Sequence, residues 1–310
     1  MKFKRISLLL VVLVALPGCT KNIQNTNKIN SSNKTNARSE NKINKNVNNK
    51  ITSSKPTLKN NSGAEIKTKS FSPILLEDTS SLQRENIHWS WAYSPGENAT
   101  LLSKYHAYAF GETSKKVIYL TFDEGYENGY TASILDTLKA NNVKAAFFIT
   151  QTYVTDSFKG KKNINLIKRM MDEGHIIANH SVHHKSMPSM TNEATFNSEI
   201  KENETTVDNI AGFKMSKFFR PPMGDFSELS LYYTQKLGYK SIFFSLAYND
   251  YDPENQPDPE TAKKHLLKGT KPGMICLLHA VSKTNAKILD SLIKEWVTQG
   301  YEFKTLDELP

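Results

Sequence analysis

Between Val117 and Lys304 seven short apolar runs alternate with six helical patterns, and that alternation admits few folds. The runs are Val117–Phe122, Ala145–Ile149, Ile176–Ala178, Phe218–Arg220, Ser241–Ser245, Met274–His279 and Glu302–Lys304. Runs this short and apolar read as buried strands. Between them lie helical patterns at Tyr130–Asn141, Ile164–Glu173, Asn192–Ile210, Glu228–Leu237, Pro259–Leu267 and Asn285–Gln299, several closed by Gly174, Gly212, Gly238 or Gly300. Glycine ends helices because it tolerates the left-handed backbone of the cap. Strands joined by crossover helices require a parallel sheet. The size of the segment and the spread of its polar residues favour an incomplete, distorted parallel β/α barrel of about seven strands over an open doubly wound sheet.

That architecture gathers residues far apart in the chain. Asp123 and Glu124 follow the first run, His180 the third, Arg220 the fourth, Asp250 the fifth, and His279 ends the sixth. All fall at carboxyl ends of strands, the face where α/β barrels build their active sites. Two imidazoles and a nearby carboxylate are what a divalent transition metal with open positions takes. His180 pairs with His184 at i, i+4, and His183 competes on spacing alone. With Zn²⁺ or a similar ion there, one carboxylate is left for proton transfer. Asp123 would take a proton from an attacking water, and Arg220 would hold that carboxylate ionised. His279 would protonate a departing amine or alcohol, its ring oriented by Asp250. Together these residues describe metal-assisted hydrolysis of an amide or ester. A phosphodiesterase is disfavoured, because no glycine-rich phosphate cradle accompanies the cluster.

The flanking sequence speaks to location. Met1-Lys-Phe-Lys-Arg5, the apolar run Ile6–Leu16 and Pro17-Gly-Cys19 form a lipoprotein-type signal peptide, residues 1–19, with a run too short to span a bilayer. Cys19 is then the expected lipid anchor, and the protein is exported to the outer face of the bacterial cytoplasmic membrane or the cell wall space. Residues 20–80, rich in Asn, Lys and Ser, are expected to form a disordered tether with a span of roughly 45 Å. Residues 81–310 are expected to fold as one domain, a monomer, with Gln83–Ser114 as a preamble packing over the main fold. The net charge is +9, but residues 1–70 hold 14 Lys or Arg against 2 Glu, and the rest 26 against 29 acidic residues. A basic excess confined to leader and tether suits an anionic membrane or wall polymer and excludes a nucleic-acid-reading face. Once Cys19 is lipidated, Cys276 is alone, so no intramolecular disulfide forms.

The residues from Val117 to Pro310 resemble the polysaccharide deacetylases of carbohydrate esterase family 4, the NodB homology group. Thr121-Phe-Asp-Glu-Gly125 is similar to the family's first motif, His180-Ser-Val-His-His184 to its second, Arg220-Pro-Pro-Met-Gly224 to its third and Leu277-Leu-His279 to its last. Asp250-Tyr251 stands where the family commonly has Asp-Trp. The resemblance implies Asp123 as base, His279 as acid, and His180 and His184 as ligands of a divalent metal ion, Zn²⁺ above other transition metals. It also implies that Pro222, Met223 and Tyr251 line the substrate groove, with the Met223 N–H at the oxyanion. One position departs from the pattern: Glu124 stands where a ligand Asp is usual, and its extra methylene shifts the carboxylate. Either the backbone compensates or the two histidines and water hold the ion.

Asp123-Glu-Gly-Tyr-Glu-Asn-Gly-Tyr-Thr131, Asp172 to Ser181 and the aromatic preamble are similar to the delta-lactam-forming branch of this family, deacetylases of sporulation. This implies as substrate the N-acetylmuramic acid of peptidoglycan glycan strands, after an upstream muramoyl-alanine amidase has removed the peptide. The product would be muramic-δ-lactam of spore cortex. The alternatives are a deacetylase of N-acetylglucosamine in peptidoglycan or another β-1,4-glycan, and a non-catalytic wall-binding lipoprotein.

Overall fold

A computed structural model describes residues 71–90, 96 and 98–310. The expected leader, the anchor at Cys19 and the tether up to residue 70 lie outside the described residues, as does Trp91 of the preamble.

The sheet strands are β1 (Ala107–Tyr108), β2 (Val117–Glu124), β3 (Ala146–Ile149), β4 (Ile176–Asn179), β5 (Phe218–Phe219), β6 (Lys240–Ile242), β7 (Met274–His279) and β8 (Glu302–Phe303). Their order is β7-β2-β3-β4-β5-β6-β1, all parallel, with β8 beside the start of β2, Glu302 opposite Val117. The sheet curls until its edges meet through isolated bridges only. Leu246, just past β6, lies opposite Cys276, and Phe110, just past β1, opposite Met274. The result is a distorted, incomplete β/α barrel, as expected from the alternation.

All eight residues of β2 are buried, which fits the apolar, largely β-branched and aromatic run from Val117 to Phe122. Ile118, Leu120 and Phe122 pack with residues of the helices α1 (Thr131–Ala140), α2 (Ile164–Asp172) and α6 (Lys283–Thr298). Val117 and Tyr119 belong instead to the cluster holding Phe148, Ile275 and Leu277. The remaining long helices are α3 (Glu193–Ala211), α4 (Glu228–Lys236) and α5 (Pro259–Gly269). Each begins on a side-chain cap, Asn192, Ser227 or Asp258, and Ser282 caps α6. Gly212 closes α3 at φ 76°, in the left-handed region that favours glycine.

Two boundaries differ from the sequence expectation. The preamble does more than pack over the fold, because β1 within it completes the sheet beside β6 and Ile87–His88 pairs antiparallel with Asp225–Phe226. A two-residue strand carries no periodicity to read. Residues ahead of 81 also pack on the domain. Ile74 exchanges two hydrogen bonds of 2.7 Å with the Gln235 side chain of α4, and the Leu76 N–H donates to Tyr232 Oη at 3.0 Å. Phe71 stacks on the His106 ring at 4.2 Å. The apolar residues Phe71, Ile74 and Leu76 signal this packing, although composition averaged over the expected tether hides them.

A chain beginning at residue 81 should therefore be less stable than one beginning at residue 71, by about 2–3 kcal/mol for the three lost hydrogen bonds. Urea denaturation of the two chains checks this. Equal midpoints would show the segment to be dispensable.

Candidate active site

The carboxyl ends of the strands open into a cavity of about 830 Å³. Asp123, His180, His184, Arg220, Met223, Tyr251 and His279 all line it. Residues drawn from five strand ends and their loops thus meet in one cleft.

Arg220 lies at its base, only 2% exposed. Its Nη1 donates to Asp123 Oδ1 at 2.7 Å, its Nη2 to Thr121 Oγ1 at 2.9 Å, and its Nε to the Ile242 carbonyl at 3.1 Å. The guanidinium also sits over the Phe148 ring, 4.1 Å from its centroid. Burial opposes the charge on Asp123, but Arg220, His180 and His279 more than offset it, and the carboxyl ends below its usual range. Asp123 is thus an ionised base with Oδ1 occupied and Oδ2 turned to His180 Nε2, 3.5 Å away.

His180 is fixed through its other nitrogen, which meets the Arg220 carbonyl at 2.8 Å. A carbonyl can only accept, so Nδ1 carries the hydrogen and Nε2 keeps a lone pair facing Asp123. Burial pushes His180 down to about 4, and lowers His184 as well, so both imidazoles stand neutral. Their rings meet edge to face at 4.8 Å. His184 reaches this place because Ser181 and His184 both adopt positive φ, 70° and 54°, with the His184 N–H donating to Ser181 Oγ. His183 turns away: its Nδ1 and its N–H bind the two oxygens of Glu199, at 2.7 and 2.9 Å. The spacing left His183 and His184 open, and the loop distinguishes them.

Glu124 does not join the imidazoles. Successive residues of a strand point to opposite faces, so when Asp123 enters the cleft Glu124 enters the layer behind it. It is fully buried, does not line the cavity, and neighbours Glu127 and Tyr153. Burial first, then the charges of Glu127 and Asp123, raise its carboxyl well above the usual range. A carboxyl enclosed on the far face of the strand does not reach an ion in the cleft. Among the described residues no three His, Cys, Asp or Glu side chains form a ready ligand cluster. The donor set therefore fits a divalent ion through the neutral His180 and His184, and does not fit it through Glu124.

On the opposite wall His279 ends β7. Its Nδ1 meets Asp250 Oδ1 at 2.7 Å and its N–H donates to Asp250 Oδ2 at 2.8 Å. Asp250 is fully buried and also receives Asn285 Nδ2, while Tyr248 Oη donates to Asn285 Oδ1. Burial would lower His279, but the charge and hydrogen bond of Asp250 outweigh it and raise the imidazole. Tyr251 meets the His279 ring edge-on at 5.9 Å and is 48% exposed at the mouth. In the third motif, Met223 takes φ 59° and ψ 4° and stays exposed. Pro222, expected in the groove wall, is buried behind that turn, and its neighbour Pro221 lines the cavity instead. Sequence reasoning missed His88 and Trp89, which also line it. Their aromatic cluster was the available signal, in a segment from which no site residue was expected.

Residues 110–242 match the family model described as polysaccharide deacetylase. The peptidoglycan-N-acetylmuramic acid deacetylase PdaA of Bacillus subtilis is 44% identical over 210 residues, 68% of this chain and 77% of that protein. The chain belongs to the polysaccharide deacetylase family. A solved structure of Bacillus subtilis PdaA, described as a family 4 carbohydrate esterase, matches this deacetylase with a TM-score of 0.67 at 40% identity, covering 73% of this chain and 97% of that one. A peptidoglycan-N-acetylglucosamine deacetylase of Bacillus cereus is 31% identical over 209 residues, 66% of this chain and 72% of that protein. The deacetylase is accordingly a hydrolase of N-acetyl amide bonds.

Isothermal titration of the apoprotein with Zn²⁺ tests the ligand assignment. His184→Ala should weaken binding by roughly 100-fold or more, and Glu124→Gln should leave it within about threefold. A Glu124→Gln loss as large as that of His184→Ala would place Glu124 on the ion.

Proposed function

We propose that this deacetylase removes the acetyl group from peptide-free N-acetylmuramic acid in peptidoglycan. The freed amine and the lactyl carboxyl would then close to the muramic-δ-lactam of spore cortex. One observation carries the choice of sugar: identity is 44% to a relative named for N-acetylmuramic acid, against 31% to one named for N-acetylglucosamine, at similar coverage. The peptide-free state implies an amidase acting beforehand. Export, a lipid anchor on Cys19 and action as a monomer complete the proposal.

The residues divide the chemistry. Asp123 takes the proton of the attacking water through Oδ2, since Arg220 occupies Oδ1. A divalent ion on His180 and His184, Zn²⁺ in this reading, would supply a Lewis acid that polarises the acetyl carbonyl. The Met223 N–H, presented by the strained turn, meets the oxygen as it gains charge. His279, protonated and held through Nδ1 by Asp250, delivers a proton from Nε2 to the departing amine. The C–N bond breaks, acetate leaves, and the sugar keeps an amine.

The purified chain, given glycan strands with and without stem peptides, should convert only N-acetylmuramic acid in the peptide-free strands, read by mass spectrometry. Loss of acetyl from glucosamine alone would overturn the choice of sugar in favour of the glucosamine reading.

A further inference from the structure

Two imidazoles on the cavity wall take no part in this chemistry, His88 and His183. His183 is turned to Glu199 on the loop that carries His184. His88 stands beside the Met223 turn. Its backbone pairs with Asp225, two residues beyond Met223, and its Nδ1 meets Asp225 Oδ1 at 2.9 Å. Burial opposes the charge on Asp225, but hydrogen bonds from Ser186, His88 and Asn86 more than offset it and keep it ionised. Gly224 permits the close approach of this segment, since a Cβ there would lie 2.3 Å from the Trp89 carbonyl oxygen. Trp89 is buried in turn and donates its Nε1–H to the Phe244 carbonyl at 2.8 Å. His88 is thus anchored from behind, with 62% of its side chain exposed at the cavity.

A carboxylate only accepts hydrogen bonds, so Nδ1 carries a hydrogen and Nε2 is the nitrogen left for a ligand. With a hydrogen on each ring nitrogen, the ring donates to Asp225 through Nδ1 and to an anion through Nε2. Apart from His279 and the two imidazoles assigned to the ion, the cavity offers little else to an anion. Among the described residues no lysine lines it, and the Nε, Nη1 and Nη2 of Arg220 already donate to Ile242, Asp123 and Thr121.

On muramic acid the lactyl ether at C3 is vicinal to the acetamido group at C2. With the acetyl oxygen at the Met223 N–H, the lactyl group lies one substituent away, and His88 is held on the same wall by its pairing with Asp225, two residues beyond Met223. We infer that His88, positioned by Asp225, binds the free lactyl carboxylate of the substrate and sets the preference for peptide-free muramic acid. This rests on the muramic-acid reading above. A stem peptide turns that carboxylate into a neutral amide and so removes the charge that His88 reads.

The test compares the full chain on peptide-free strands with the same strands after the lactyl carboxylate is capped as a methylamide. The wild type should favour the carboxylate roughly tenfold in kcat/KM, expressed in KM. His88→Ala and His88→Gln should both lose that preference, with kcat on the capped strand and the Tm unchanged. A wild type without preference, a preference surviving in both variants, or equal falls on both strands would overturn the inference and leave the muramic-acid reading standing. A wild type inert on both strands overturns the two together.

Discussion

The buried guanidinium of Arg220 is the interaction on which the site depends. It joins the end of β2, through Thr121 and Asp123, to the chain leaving β6, through the Ile242 carbonyl, and its own carbonyl fixes His180. One residue thereby spans the barrel mouth and sets the state of both the Asp123 carboxylate and the His180 imidazole. A charge taken so far from water is tolerated only when paired and fully hydrogen-bonded, and removing one partner of such a pair typically costs about 3–5 kcal/mol. Fold and catalysis are therefore not separable at this position.

The same device recurs around the cleft at smaller scale. His279 has Asp250 behind it, His183 has Glu199, and His88 has Asp225. In each case a carboxylate engages Nδ1 and leaves Nε2 as the free nitrogen. The consequences differ with the surroundings. His279 is largely buried, with 22% of its side chain exposed, and its carboxylate is braced by Asn285 and Tyr248, which suits an acid that must stay protonated. His88 is mostly in solvent, which suits recognition of an anion.

Much of this was legible in the sequence, because strand and helix periodicities differ and barrel sites lie at strand ends. The seven expected strands and six expected helices are all present, within a few residues at their ends. Asp123, His180, Arg220 and His279 meet because topology brings them together, and topology follows from the alternation. What failed has physical causes. Asp123 and Glu124 looked like a pair along the chain, but the pleat separates them. Pro222 and Pro221 exchanged places because a 3₁₀ turn decides which ring faces the cavity. β1 and the segment from Phe71 were missed because they depend on partners more than 100 residues away, Ser241 and Gln235 among them. Glu199 and Asn285 escaped notice because each meets its partner only through the tertiary fold.

The central claim is that Asp123 acts ionised under Arg220 while His279 acts protonated over Asp250. The pH dependence of kcat/KM for the wild type and Asp250→Asn tests it most directly. Asp123 is depressed, so activity should be lost only as pH falls through a value below the usual carboxylate range. His279 is raised, so activity should fall as pH rises through a value above the 6.5 of an ordinary imidazole. Without the charge of Asp250 the burial of His279 is no longer outweighed, and the alkaline limb should move to lower pH. An alkaline limb that stays in place in Asp250→Asn would contradict the account.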